Sequence, residues 1–400
     1  MGISRQDQAE QFVETLQPDV AEAIIEAAST GADNEVEAAA PAAAAATADA
    51  SQEEMEEPHV KGKVVNFVLI GIAFGVLVGC LVFAGEGSDL VEALSNMEWP
   101  WLFASIVLIF AYWLLEAGNM QVFALEMWPG FRFSKTWMVT MIGQYFNCIT
   151  PLSSGGQPFQ AYYYSRFGMP LSKSMPMLLC RFITYQIATT TFCALMLLLR
   201  FNYFSEQYPY LMVLVGIGFA GGMVLLLGLL ALAFMHKTTL RVVGWFLKLG
   251  NKLHLIRDYS AMVAKTTATL DDAYKEVSYL VHKPKLLFKC IGLTFVQLTE
   301  YFAISYTVAC GLGVEGADPL TTIACQSFVY MISSFVPTPG AMGAAEGSYA
   351  VFMSAIYPNA STVALSVFVW RLLTFYLPIV VGACITLWVN RGKKANHAME

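Results

Sequence analysis

The chain has 400 residues, 56% hydrophobic and 13% charged, with a mean hydropathy of +0.55. That is too apolar for a water-soluble domain, and several uncharged stretches approach the length needed to cross a bilayer. The net charge of −7 misleads: residues 1–60 hold fourteen acids and one base, Arg5, and without them the chain is +6, which suits a protein beside anionic lipid.

Residues 1–60 are acidic and alanine-rich and cannot bury enough apolar surface to order themselves. They read as a disordered cytoplasmic tail, or as a partner-binding arm. The first apolar run begins only at Val64 behind an acidic n-region, so no secretory signal is expected. The membrane domain is predicted over 61–394, with a short tail at 395–400. Its first span is 64–85. The second is 99–118, anchored by Trp99 and Trp101 at the interface. A limb at 136–149 then meets a break at Thr150-Pro151, and a second limb at 157–167 is too short to span. Spans are predicted again at 174–199 and 209–235.

Residues 236–289 carry ten Lys/Arg against four acids. They read as a cytoplasmic insertion: either a surface-lying helical pair with Trp245, Phe246 and Leu249 toward lipid, or a plain loop. A span at 286–312 precedes a second broken segment, 319–357, and the last span is 362–389.

The two breaks match in spacing. Thr150-Pro151-x3-Gly155 repeats as Thr338-Pro339-x3-Gly343. Each is followed inside an apolar helix by an arginine with threonine three places on, Arg181-x-x-Thr184 and Arg371-x-x-Thr374. Proline to arginine is 30 residues in the first copy and 32 in the second. Each copy is also preceded by an apolar helix with one carboxylate, Glu116 or Glu300. The shared order points to an internal duplication, repeat 1 at about 99–199 and repeat 2 at about 286–390.

Positive charge decides how the breaks lie in the membrane. If each broken segment is a hairpin returning to its own side, six full spans remain. With the N-terminus inside, nearly every Lys and Arg is then cytoplasmic, and 290–370, which has none, is external. Eight complete spans would export either the ten-base insertion or the bases at both ends. The expected fold is therefore an all-α polytopic membrane protein, an inverted repeat of six spans plus two re-entrant hairpins dipping from opposite faces. Both termini are expected in the cytoplasm, at the cell membrane.

Arg181 and Arg371 sit roughly 12–15 Å inside their spans at about 1.5 Å per residue. There an arginine costs at least ~2.5 kcal/mol unless it pairs or faces water. Each is read either as paired to a neighbouring carboxylate, such as Glu300 or Glu346, or as a ligand for a phosphate, whose geometry a guanidinium matches. Glu300 is the stronger carboxylate, and Glu116 reads equally as a snorkelling side chain. Glu346 could face an amine or balance Arg371. Gly155 and Gly156, with Pro339, Gly340 and Gly343, form turns that read either as backbone nests for a phosphate or as tips where only small residues fit. Gln144, Asn147, Gln157 and Gln326 add polar atoms near the breaks. Tyr162, Tyr163 and Tyr164 read as interfacial anchors, and the glycines of span 209–235 as close helix packing.

No nucleophile elbow, P-loop, histidine cluster or paired-carboxylate site occurs, so no enzyme activity, metal or cofactor is expected. The basic insertion alternates with apolar residues, which argues against nucleic acid.

The motifs PLSSGGQPFQAYYYSRFGMPLSKS…CRFITY and SSFVPTPGAMGAAEGSYAVF…VWRLLTFY resemble the transmembrane, flippase part of the lysylphosphatidylglycerol synthase/flippase family, over about 60–392. The resemblance implies movement of a phospholipid, notably an aminoacylated one, between leaflets, which protects against cationic peptides. It also implies that Arg181, Arg371, Glu346 and the two breaks line the lipid path. The same architecture leaves open two other readings: a transporter of another anionic lipid-linked or small anionic substrate, and a membrane scaffold for a separate lipid-modifying enzyme. Full-length relatives add a C-terminal aminoacyl-transferase domain. This sequence ends at Glu400, so the synthase reaction is not expected of it.

Overall fold

The computed structural model describes residues 97–207, 209–235 and 259–397, with isolated positions at 71, 75, 95, 240, 241, 244, 245 and 248. The expected tail, the span at 64–85 apart from two positions, and Phe246 and Leu249 lie outside the described residues. What is described is a bundle of helices, four of them long and apolar enough to cross a membrane. The protein is an all-α polytopic membrane protein.

Helix α1 (Trp99–Met127) starts at a proline in its first turn, where the missing N–H has no helical partner to lose. It runs nine residues beyond the predicted end. One face, with Phe103, Val107, Phe110 and Leu114, is exposed at helical spacing as lipid-facing surface. The opposite face buries Ile109, Trp113, Glu116 and Met120. Helix α2 (Phe133–Ile149) and α3 (Gly156–Arg166) are the two limbs of the first break. The Lys135 ammonium donates to the Phe167 carbonyl at 2.9 Å, so the two open ends of this hairpin lie together.

Helix α4 (Leu171–Gln207) is one long element kinked at Arg200, and α5 (Pro209–Phe234) follows. The second half of the insertion is helical, α6 (Tyr259–Val281), packed along α4. Lys173 reaches from α4 to Glu276 at 2.5 Å. Trp245 is exposed.

Helix α7 (Pro284–Gly311) lies along α1. Two polar clasps hold them: Ser105 with Thr307 at 2.8 Å, and Asn119 donating to Thr294 at 2.8 Å and to the Cys290 carbonyl at 3.1 Å. Such bonds replace the hydrophobic drive that helices lack in lipid.

Helix α8 (Pro319–Ser333), capped by Asp318, and α9 (Ala344–Met353) are the limbs of the second break. Helix α10 (Ala360–Arg371), capped by Asn359, passes through a π-helical turn, Leu372–Tyr376, into α11 (Leu377–His397). Pro378 explains the widened turn. It cannot donate to the Thr374 carbonyl, and the ladder shifts to the longer bond from Leu377 N–H to Leu372.

Each hairpin has its own apolar core. The first packs Val139, Ile142, Ala161 and Tyr164 with α1 and α4. The second packs Phe328, Val329, Ala345 and Phe352 with α1, α7 and α10. Tyr163 and Tyr164 are buried here, which corrects their reading as interfacial anchors. In a helix this short the inward face must take large side chains to fill the space beneath it. Of the α5 glycines, Gly218 and Gly222 lie against Met331, and Gly221 against Phe335. Around Gly216 there is open space.

Candidate substrate cavity

The two tips meet. Pro151 and Pro339 lie side by side in an antiparallel backbone pairing. Behind them is a cavity of about 550 Å³, reached past the exposed Leu152, Ser153, Ser154 and Phe335. Helices α1, α2, α4, α7, α8 and α10 all contribute to its walls, and both arginines line it.

Arg181 on α4 is 8% exposed and pairs with Glu116 Oε1 at 3.3 Å. The other carboxylate oxygen of Glu116 accepts from the Gln144 amide. The guanidinium also lies 4.8 Å from the centre of the Tyr185 ring. Arg371, at the end of α10, is 5% exposed. Its Nε lies 2.7 Å from Glu346 Oε1, and its Nη2 donates to the Gly340 carbonyl at 3.2 Å. Glu346 Oε2 accepts the Gly343 N–H at 2.7 Å, closing the first turn of α9. Each buried guanidinium is therefore neutralised by a carboxylate whose two oxygens are both occupied.

The structure redistributes the expected roles. Glu116 is buried and paired, so it does not snorkel. Glu300, the carboxylate favoured from sequence, is absent from the cavity lining and pairs with neither arginine. Its neighbour Tyr301 lines the cavity, and one residue further along a helix turns a side chain by about 100°. Glu346 balances Arg371 and does not line the cavity either.

The turns are also less open than a nest requires. The Ser153 and Ser154 N–H groups donate to the Thr150 and Pro151 carbonyls at 3.3 and 3.1 Å, and Gly155 N–H to the Thr150 hydroxyl at 2.8 Å. Ala341 and Met342 donate to Thr338 and Pro339 at 3.0 and 3.3 Å. These donors close the tips themselves. Gly340 and Gln157 line the cavity, whereas Gly155, Gly156, Pro339 and Gly343 shape the turns beside it. A Cβ on Gly156 would sit 2.0 Å from Asn147 Oδ1, so a larger residue there would have to displace the Asn147 amide.

Sequence reasoning missed a group of phenols. Tyr112, Tyr185, Tyr301 and Tyr330 line the cavity between the arginines. The Tyr112 and Tyr301 rings are 4.9 Å apart, and Tyr301 and Tyr330 5.9 Å. The available signal was the i, i+4 spacing of Arg181 and Tyr185, which stacks the two on one helix face.

Fold and cavity together define a class: a polytopic helical membrane protein with an arginine-bearing chamber where two helical hairpins meet. The chain belongs to the family described as the lysylphosphatidylglycerol synthase TM region, which it matches over residues 68–382. It is 25% identical over 329 residues to a UPF0104 membrane protein of Archaeoglobus fulgidus, covering 79% of this chain and 94% of the relative. It is 24% identical over 363 residues to an uncharacterised protein of Mycoplasma genitalium, covering 81% and 88%. A homologue of the latter in Mycoplasma pneumoniae is 24% identical over 365 residues, covering 80% and 87%.

Proposed function

We propose that the protein is a flippase-like translocator that carries an anionic phospholipid head group between the leaflets of the cell membrane. One observation carries this reading: two buried guanidinium groups, one from each repeat, line a single chamber at the contact between two hairpin tips. A head-group phosphate entering it would exchange contacts with the Glu116 and Glu346 pairs, while the acyl chains remain along the apolar outer faces of the helices. The hairpins enter from opposite faces in this reading, with both termini cytoplasmic, and rocking of one repeat against the other exposes the chamber alternately. The chain itself performs no transferase chemistry; its task is binding and passage.

Leaflet-resolved lipid analysis in reconstituted vesicles tests the proposal. Arg181→Ala and Arg371→Ala should each slow exchange about tenfold or more, as loss of a charge-assisted bond worth ~1.5–3 kcal/mol implies. Equal rates for wild type and both variants would remove the arginines from the mechanism.

A further inference from the structure

The chamber wall holds unpartnered donors. Among the described residues, five buried N–H-bearing atoms of residues on its lining make no hydrogen bond: Trp113 Nε1, Arg181 Nε, Gln326 Nε2, Trp370 Nε1 and Arg371 Nε, the last held by its ion pair with Glu346. Thr189 Oγ1, also unpartnered, can serve as either donor or acceptor. The Gln326 amide is oriented by its other atom, because its Oε1 accepts from Ser305 at 2.8 Å. A buried donor without a partner is costly, so such a set marks what an occupant must bring.

The acids tell the same story from the other side. Among the described residues, Glu116 is the only carboxylate on the lining, and both its oxygens are engaged, by Arg181 and by the Gln144 amide. Glu346 is likewise closed by Arg371 and the Gly343 N–H. An ammonium carries donors only. It would meet a free carboxylate only where a phosphate had already displaced an arginine, and it would have no use for the unpartnered N–H groups.

From this we infer that the head group accepted is a phosphate bearing a neutral polyol, such as glycerol or a sugar, and not an ammonium-bearing aminoacyl head. The arginines hold the phosphate, and the tryptophan and glutamine N–H groups donate to the polyol oxygens. This rests on the translocator reading above and narrows it to one class of cargo, against the aminoacylated head that family likeness suggests.

Binding tests it separately from transport. The detergent-solubilised full chain is titrated with short-chain phosphatidylglycerol, phosphatidylinositol, phosphatidic acid and lysylphosphatidylglycerol. The two polyol lipids should bind about tenfold tighter than either of the others, as two neutral hydrogen bonds allow. Gln326→Leu should narrow that preference about three- to tenfold by removing one donor. Equal binding of all four, or preference for lysylphosphatidylglycerol, would overturn the inference. The same lipids are then followed in vesicles. Selective binding with no lipid moved sustains the inferred head group and overturns translocation. Free glycerol phosphate competing as well as phosphatidylglycerol would also support the head-group chemistry, but would point to a soluble cargo and against the translocator.

Discussion

The Tyr185 and Tyr330 hydroxyls share a hydrogen bond of 2.6 Å, joining the helix that carries Arg181 to the helix that leads into the second hairpin tip. Both phenols line the chamber, so this bond ties α4 to α8 at its wall. If the repeats move against each other, this contact must break in one of the states. Tyr185→Phe and Tyr330→Phe should each cost about 0.5–1.5 kcal/mol, and the double variant little more than either alone. Denaturation in detergent of the three variants reads the coupling. Additive losses would show that the two hydroxyls act independently.

The Arg371–Glu346 pair is asymmetric: the arginine side chain is 6% exposed and the glutamate 26%. Arg371→Met leaves a partly wet carboxylate, while Glu346→Gln leaves a buried guanidinium with neutral acceptors and no counter-charge. Glu346→Gln should therefore be the more damaging to stability, approaching the ~3–5 kcal/mol seen when a buried pair loses one member. The double variant should recover part of that loss. Thermal unfolding of the three proteins checks the order.

Much of this site was legible in the chain, for reasons that differ by residue. Pro151 and Pro339 announce helix breaks because they remove donors, and breaks occur at both; left-handed backbone falls on glycine only at the second tip, Gly340 and Gly343, and on Leu152 and Ser153 at the first. Arg181 and Arg371 announce themselves by the cost of a charge among apolar residues. Glu346 was among the partners offered from sequence and does pair with Arg371, whereas the partner of Arg181, Glu116, was not foreseen. Glu116 and Glu300 look alike in sequence, and only the rotation of each helix about its axis decides which reaches an arginine. The tyrosines of α3 failed for a related reason, since an aromatic near a helix end is read as interfacial unless the layer packed above it is known. The π-helical turn after Arg371 has a local cause, Pro378, which could have been read.

Gly340 has φ +59°, and a Cβ there would lie 2.0 Å from Phe375 Cε2. Gly340→Ala combines a left-handed backbone penalty of ~1–2 kcal/mol with a clash against a buried ring. The loss should exceed ~2 kcal/mol and impair passage through the tip. Gly292→Ala is the matched control, because it has open space and a helical position where alanine gains about 0.5–1 kcal/mol. Unfolding curves that ranked the two variants equally would contradict this account of the tip.

Asp318 caps α8, accepting from the Thr321 N–H at 2.9 Å and pairing with Arg200 at the kink of α4. Its burial alone would raise its pKa. The Thr321 side-chain and backbone bonds and the Arg200 charge outweigh that and hold it below the usual carboxylate range. A carboxylate depressed by folding contributes stability that is present above its unfolded value of about 3.9 and lost as pH falls through the folded one. Asp318→Asn should therefore lower stability at neutral pH and flatten its decline below about pH 4. Because the pair is partly exposed, added salt should weaken the wild-type advantage. Stability measured against pH at two ionic strengths separates the cap, which salt spares, from the ion pair.

The bond from Lys135 to the Phe167 carbonyl closes the base of the first hairpin, so its flanks should face the same compartment. Ser134 and Pro170 are exposed on those flanks, and Glu315 and Ala360 on the flanks of the second hairpin. Each can be replaced by cysteine in a background lacking the exposed Cys384. The abundance of Lys and Arg around the first pair and their absence from 290–370 predict opposite sides for the two hairpins. An impermeant thiol reagent applied to intact cells should label 315 and 360 together and spare 134 and 170 until the membrane is opened. If 134 and 170 were labelled from different sides, α2 and α3 would jointly cross the bilayer. The two arginines would then belong to repeats of the same orientation, and alternating exposure of one chamber would lose its structural basis.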